Sequence, residues 1–150
     1  MRKIAFVLSL ALITSLCALA PAGAAGDTKG PACANIVDGG GFWDGTTLAF
    51  EFTLAKPACS SVTYTLYATT DPNGGTVYST STYTVDSGGR LIFSLAVPDP
   101  NPTTPCDLVY VYGTTSLHNH LADRAPDSGY AQFFDDGTTG ACGSPSRSFH

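Results

Sequence analysis

The sequence predicts an all-β fold, a seven-stranded antiparallel sandwich of two sheets held by two disulfides. Three observations carry this reading. Apolar residues alternate with polar ones along most segments instead of recurring every three or four, the pattern of strands with one buried face. Clusters of Gly, Asn, Asp and Pro interrupt that alternation at short intervals, as turns do. Cysteines are even in number once the N-terminal leader is set aside, which suits an exported, oxidised domain. No segment reads as an amphipathic helix.

The chain opens on Met1, Arg2 and Lys3, followed by an apolar run from Ile4 to Ala20 and the small residues Ala22 and Ala24. A basic start, a hydrophobic stretch and an Ala-x-Ala site are the marks of a secretory signal peptide over residues 1–24. The run barely reaches the ~18–20 residues that span a bilayer, so a cleaved leader is expected and no membrane association after it. Residues 25–32 are expected to be a short mobile N-terminus, 33–142 the sandwich domain and 143–150 a flexible tail.

Within the domain, Ala34–Val37 reads as a short first strand. Thr46–Leu54 follows, with Leu48, Phe50, Phe52 and Leu54 on one face and Thr47, Ala49, Glu51 and Thr53 on the other. Val62, Tyr64, Leu66 and Ala68 alternate with Thr63, Thr65, Tyr67 and Thr69 in the next strand, which stops at Asp71-Pro72-Asn73-Gly74-Gly75, where Asn and Gly supply positive φ. Thr76–Val85 has no clear apolar face and reads as an edge strand. Arg90–Val97 buries Leu91, Phe93, Leu95 and Val97, and the four prolines of Pro98–Pro105 force a loop, since proline offers no backbone N–H. Alternation resumes in Asp107–Thr115, with Leu108, Tyr110 and Tyr112 on one face, and Tyr130–Phe134 reads as the last strand.

The segments VTYTLYATT (62–70), LIFSLAVPDP (91–100) and DLVYVYGTT (107–115) resemble strands C, E and F of immunoglobulin-like or fibronectin type III-like modules. The resemblance is one of pattern over about 100 residues, without the immunoglobulin core tryptophan between sheet-bridging cysteines. If the strands follow the fibronectin-like order, Cys33 and Cys59 lie at one end of the sandwich and Cys106 and Cys142 at the other. The implied pairing is Cys33–Cys59 and Cys106–Cys142, each closing a loop of about 25–37 residues and contributing roughly 3–4 kcal/mol in the chain-entropy description.

Composition narrows the function classes. Without Arg2 and Lys3, five Lys and Arg face twelve acids, of which only Glu51 is a glutamate, giving a net charge of about −7. Nucleic acid is an unsuitable partner, because phosphate binding needs cationic side chains to displace counterions. No Gly-x-Ser-x-Gly elbow is present, and Ser116 and His118 lack an orienting partner. The remaining candidates are surface features. SLHNHLADRAPDSG (116–129) reads as a long polar loop at the end that carries the Cys59 loop. If extended there, His118 and His120 project to one side and offer a metal two imidazoles, with Asp123 or Asp127 to complete the set; a solvated loop is the simpler account. Phe42 and Trp43, on the glycine-rich stretch Gly39–Gly45, read either as an exposed pair that stacks on a sugar or protein, or, for Trp43, as a lid over the open end of the core. The outward row Thr63, Thr65, Tyr67 and Thr69, joined by Tyr78, is a further surface.

The expected function is that of a secreted, monomeric, non-enzymatic module without cofactor that binds an extracellular protein or glycan through loops at one end, with His118, Asn119, His120, Arg124 and Trp43 as binding residues. The alternative is a small metal-dependent enzyme built on His118 and His120, or an inhibitor or carrier protein.

Overall fold

The computed structural model describes residues 30–104 and 106–134. The expected leader at 1–24, residues 25–29, Cys142 and the expected tail at 143–150 lie outside the described residues, so the expectations placed on them are not addressed by the fold. A 3-10 turn at Ala32–Ala34 precedes β1 (Ile36–Trp43), β2 (Thr47–Leu54), β3 (Val62–Thr69), β4 (Tyr78–Thr80), β5 (Tyr83–Val85), β6 (Leu91–Ala96), β7 (Leu108–Leu117), β8 (His120–Ala125) and β9 (Ala131–Phe134). One sheet has the order β1-β2-β6-β5. The other runs β4-β3-β7 and is completed by β8 and β9, which pair with successive halves of β7. All pairings are antiparallel.

The expectation of seven strands is therefore corrected to nine among the described residues, in sheets of four and five. Two local events account for the difference. The edge segment 76–85 is not one strand: β4 pairs with β3 and β5 with β6, so the chain changes sheets at Ser81-Thr82. Tyr78 and Tyr83, one in each piece, pack half-buried against the core from opposite layers. The expected loop at 116–129 is mostly strand, with only two residues between the end of β7 and the start of β8. The expectation of two disulfides is also corrected: the single described bridge is Cys33–Cys59, with Cα atoms 5.9 Å apart. The other expected pairing depends on Cys142, outside the described residues.

Period-two alternation builds the core. Leu48, Phe50 and Phe52 of β2 and Leu91, Phe93 and Leu95 of β6 face Val62, Tyr64, Leu66 and Ala68 of β3, Val109 and Val111 of β7 and Phe133 of β9. The rings of Phe52 and Phe93 lie 4.7 Å apart, and those of Phe50 and Phe133 meet edge to face at 5.3 Å. Gly113 is central to this contact. It points inward from β7, and the ring of Phe52 occupies the space a Cβ there would need. Phe50 and the Ala49 carbonyl crowd Gly41 of β1 in the same way, so this glycine of the strand leaves no room for a Cβ, whereas one on the neighbouring Gly40 would meet open space.

Residues 33–36 cross from one sheet to the other at the end that carries the β2–β3 connection. The buried Tyr64 hydroxyl donates to Cys33 O (2.8 Å) and accepts from Cys59 N (3.1 Å), tying both arms of the disulfide. The Thr115 hydroxyl donates to Ala34 O at 2.6 Å, and Ile36 N donates to Asp123 Oδ2 at 2.7 Å. At the opposite end the buried Trp43 indole donates from Nε1 to Val97 O at 2.8 Å, and the carboxylate of Asp44 accepts from the backbone of Thr46 and Thr47 in the turn that follows.

Two outcomes follow. Gly113→Ala forces Phe52 off its seat and lowers unfolding stability by about 1–3 kcal/mol, read from urea denaturation. Tyr64→Phe leaves Cys33 O and Cys59 N without their shared partner and costs about 1–3 kcal/mol at neutral pH. Burial, reinforced by nearby Tyr83, holds the Tyr64 phenol above its ordinary value against the opposing pull of the Cys59 N–H. The folded chain thus keeps a proton that the unfolded chain releases, so this contribution is complete below pH about 10 and is lost as pH climbs through the folded value. Denaturation midpoints measured across that range should fall less steeply in Tyr64→Phe than in the wild type.

Candidate functional site

The sequence-derived candidates do not form one site. His118 and Asn119 have φ of 51° and 66° and make the two-residue turn of the β7–β8 hairpin, while His120 begins β8 opposite Leu117. Positive φ at both central residues is the turn geometry that matches strand twist, and Asn and His are among the side chains that tolerate it. Turning backbone does not send residues i and i+2 to one side, so the extended arrangement that the metal expectation needs is not present. Asp123 is engaged by Ile36 N. Among the described residues no group of three or more His, Cys, Asp or Glu side chains is placed to hold an ion.

Trp43 sits at the other end of the sandwich from His118, fully buried, with its only polar atom satisfied by Val97. The strand pleat separates it from Phe42, which points outward and is 43% exposed. Phe42 borders a shallow depression of about 460 Å³ whose other walls are Ala49, Glu51 and Ile92 over the bare backbone of Gly40. Its one acid, Glu51, is held by Arg90 at 2.9 Å, and Arg90 also pairs with Asp86 at 2.7 Å.

The structure assembles a different surface, on the outer face of the five-stranded sheet. Tyr67 of β3 and Tyr112 of β7 are direct cross-strand partners. Their rings are parallel to within 5°, with centroids 4.7 Å apart, the spacing of neighbouring strands. Arg124 of β8 lays its guanidinium over Tyr112, 4.5 Å from the ring centroid. Its N–H groups donate to the carbonyls of Pro126 and Gly129, the latter at 2.6 Å. Tyr130 adds an edge contact to Tyr112 at 5.6 Å and to Tyr110 at 6.1 Å. Burial, followed by the neighbouring phenols of Tyr67 and Tyr130, raises the Tyr112 pKa, and Arg124 opposes the shift.

Arg124 thus belongs to an aromatic row instead of a histidine loop. Of the row anticipated from sequence, Thr63, Thr65 and Tyr67 face outward, but Thr69 is buried with its hydroxyl donating to Asp71 O, and Tyr78 pairs with Ala68 and turns toward the core. The sequence places Tyr110 and Tyr112 together on one face; which face is wet was the missing information. Outward positions on β3, β4 and β7 are Thr, Ser, Tyr and Leu, with no charged side chain among them.

Removing the side chain in Arg124→Ala frees the 126–129 turn and uncovers Tyr112, lowering stability by about 1–2 kcal/mol. His118→Ala and His120→Ala, both at exposed positions, should stay within about 0.5 kcal/mol of the wild type in the same denaturation assay.

No family model, no curated protein and no solved structure matches the chain.

Proposed function

We propose that this chain is a secreted, non-catalytic binding module that engages an extracellular protein or glycan through the outer face of its five-stranded sheet. One observation supports this reading above the others: Tyr67, Tyr110, Tyr112 and Tyr130 gather with Arg124 on a sheet face whose other outward side chains on β3 and β4 are Thr and Ser. Aromatic side chains and Arg concentrate at binding surfaces because they provide large, rigid contact area with a polar edge. The order β1-β2-β6-β5 against β4-β3-β7-β8 supports the likeness to immunoglobulin-like modules, a scaffold that presents faces and loops to partners. The end loops are a smaller surface than the sequence suggests, because His118 and Asn119 occupy a two-residue turn. With Asp123 bound to the backbone, nothing favours the metal-dependent alternative over the binding module.

The test compares the wild type with Tyr112→Ala and with the double variant His118→Ala/His120→Ala on a glycan array and against proteins of the culture fluid. Tyr112→Ala should lose about tenfold or more in affinity, as removal of a central aromatic anchor does, and the histidine variant should bind as the wild type. The reverse ranking would move the site to the hairpin turn and overturn the proposal.

A further inference from the structure

The tyrosine row is unfinished on one side. Tyr112 is covered on both faces, by Tyr67 and by Arg124. Among the described residues, no ring or guanidinium lies against the other face of Tyr67. Because the Tyr67–Tyr112 stack advances by one strand spacing, the next position in the series lies over Ser79, the cross-strand partner of Tyr67 on β4. Ser79 is exposed and far too small to fill a ring-sized step, and β4 is the last strand of its sheet.

Resting on the binding-module reading, we infer that the face of Tyr67 above Ser79 is a stacking subsite for one ring of a neutral pyranose polymer. A pyranose has an apolar C–H face of about the area of a phenol ring and a rim of hydroxyls that both donate and accept. The site offers a matching set. Tyr67 supplies the flat apolar surface, and its hydroxyl gives the polar edge. Around it stand groups that also donate and accept: Ser79, and the Thr65 and Ser81 hydroxyls 2.8 Å apart.

Charge decides against other planar ligands. A nucleotide or acidic sugar needs cations to offset its charge. Among the described residues the only cation of this face, Arg124, is folded onto Tyr112 and donates to two backbone carbonyls. A cationic ligand would want carboxylates, and the outward positions of β3, β4 and β7 carry none. The other sheet is different: its outer face bears the Glu51–Arg90–Asp86 ion pairs. A neutral, hydroxyl-rich partner is the chemistry this surface leaves.

The experiment is affinity gel electrophoresis of the full secreted chain in gels containing hydroxyethylcellulose, xylan or glucomannan, with polygalacturonate and hyaluronate as charged controls. At least one neutral polymer should retard the wild type and neither charged polymer should. Tyr67→Ala should weaken retardation about tenfold, the effect expected from losing one ring stack, and Tyr67→Phe should keep it. Ser79→Trp, which fills the open step from the side, should abolish it. Near-ultraviolet circular dichroism confirms that each variant is folded. Absence of retardation by all three neutral polymers overturns the inference, as does wild-type retardation in both Tyr67→Ala and Ser79→Trp. If neutral polymers fail but Tyr112→Ala still loses a protein ligand, the glycan is wrong and the binding face stands; if no tyrosine variant changes any binding, both fall together.

Discussion

The two sheets of this protein meet where a ring stands against bare backbone. Phe52, from the four-stranded layer, is seated on Gly113 of the five-stranded layer, and no side chain larger than hydrogen fits at that position of β7. Interiors pack at the density of organic crystals, so such a contact sets the local separation of the layers to within a fraction of a methyl group. Phe93, Phe50 and Phe133 then fill the space on either side. Alternation does the rest. Once Gly113 and Val111 face inward, Tyr112 and Tyr110 must face out, and the aromatic row on the far side of the sheet is a direct consequence of how its near side is packed.

Closure of the open end makes a second demand, and polar groups meet it. Residues 33–36 leave backbone carbonyls and N–H groups in a buried position between the layers, where an unpaired group costs free energy. Tyr64, Thr115 and Asp123 supply the partners, one from each strand facing the gap. The carboxylate of Asp123, close in sequence to two histidines, is thereby engaged with the backbone of β1. The same demand explains a tyrosine in an otherwise aliphatic row of β3, since phenylalanine there would fill the volume but satisfy neither arm of the disulfide.

The two outer faces contrast in their chemistry. The four-stranded sheet carries a surface ion network of Glu51, Arg90 and Asp86, exposed pairs of the kind that add little stability and chiefly keep a surface wet. The five-stranded sheet carries stacked phenols, a guanidinium turned inward over them, and hydroxyls. Stacking Tyr67 on Tyr112 and Arg124 on Tyr112 pre-arranges large side chains before any partner arrives, which reduces the ordering cost of association. A rigid row of this kind is better suited to recognition than scattered tyrosines, which are ordinary on solvated sheets.

Much of the architecture is legible in the sequence. The class, the strands at 47–54, 62–69 and 91–96, the proline loop and the inward rows follow from period-two patterning, because a strand must send alternate side chains to opposite sides whatever it packs against. The pairing of Cys33 with Cys59 follows from which strand ends share a pole. Three features were decided only in three dimensions. The His-Asn turn of the β7–β8 hairpin lacks the glycine by which such turns are recognised, so a hairpin reads as a loop. The division of 76–85 between two sheets depends on where Tyr78 and Tyr83 find space in the core, which no local pattern contains. The stack of Tyr67, Tyr112 and Arg124 joins residues from three strands, and its existence rests on register: a shift of β7 by one residue against β3 would bury the tyrosines and leave the surface without its row.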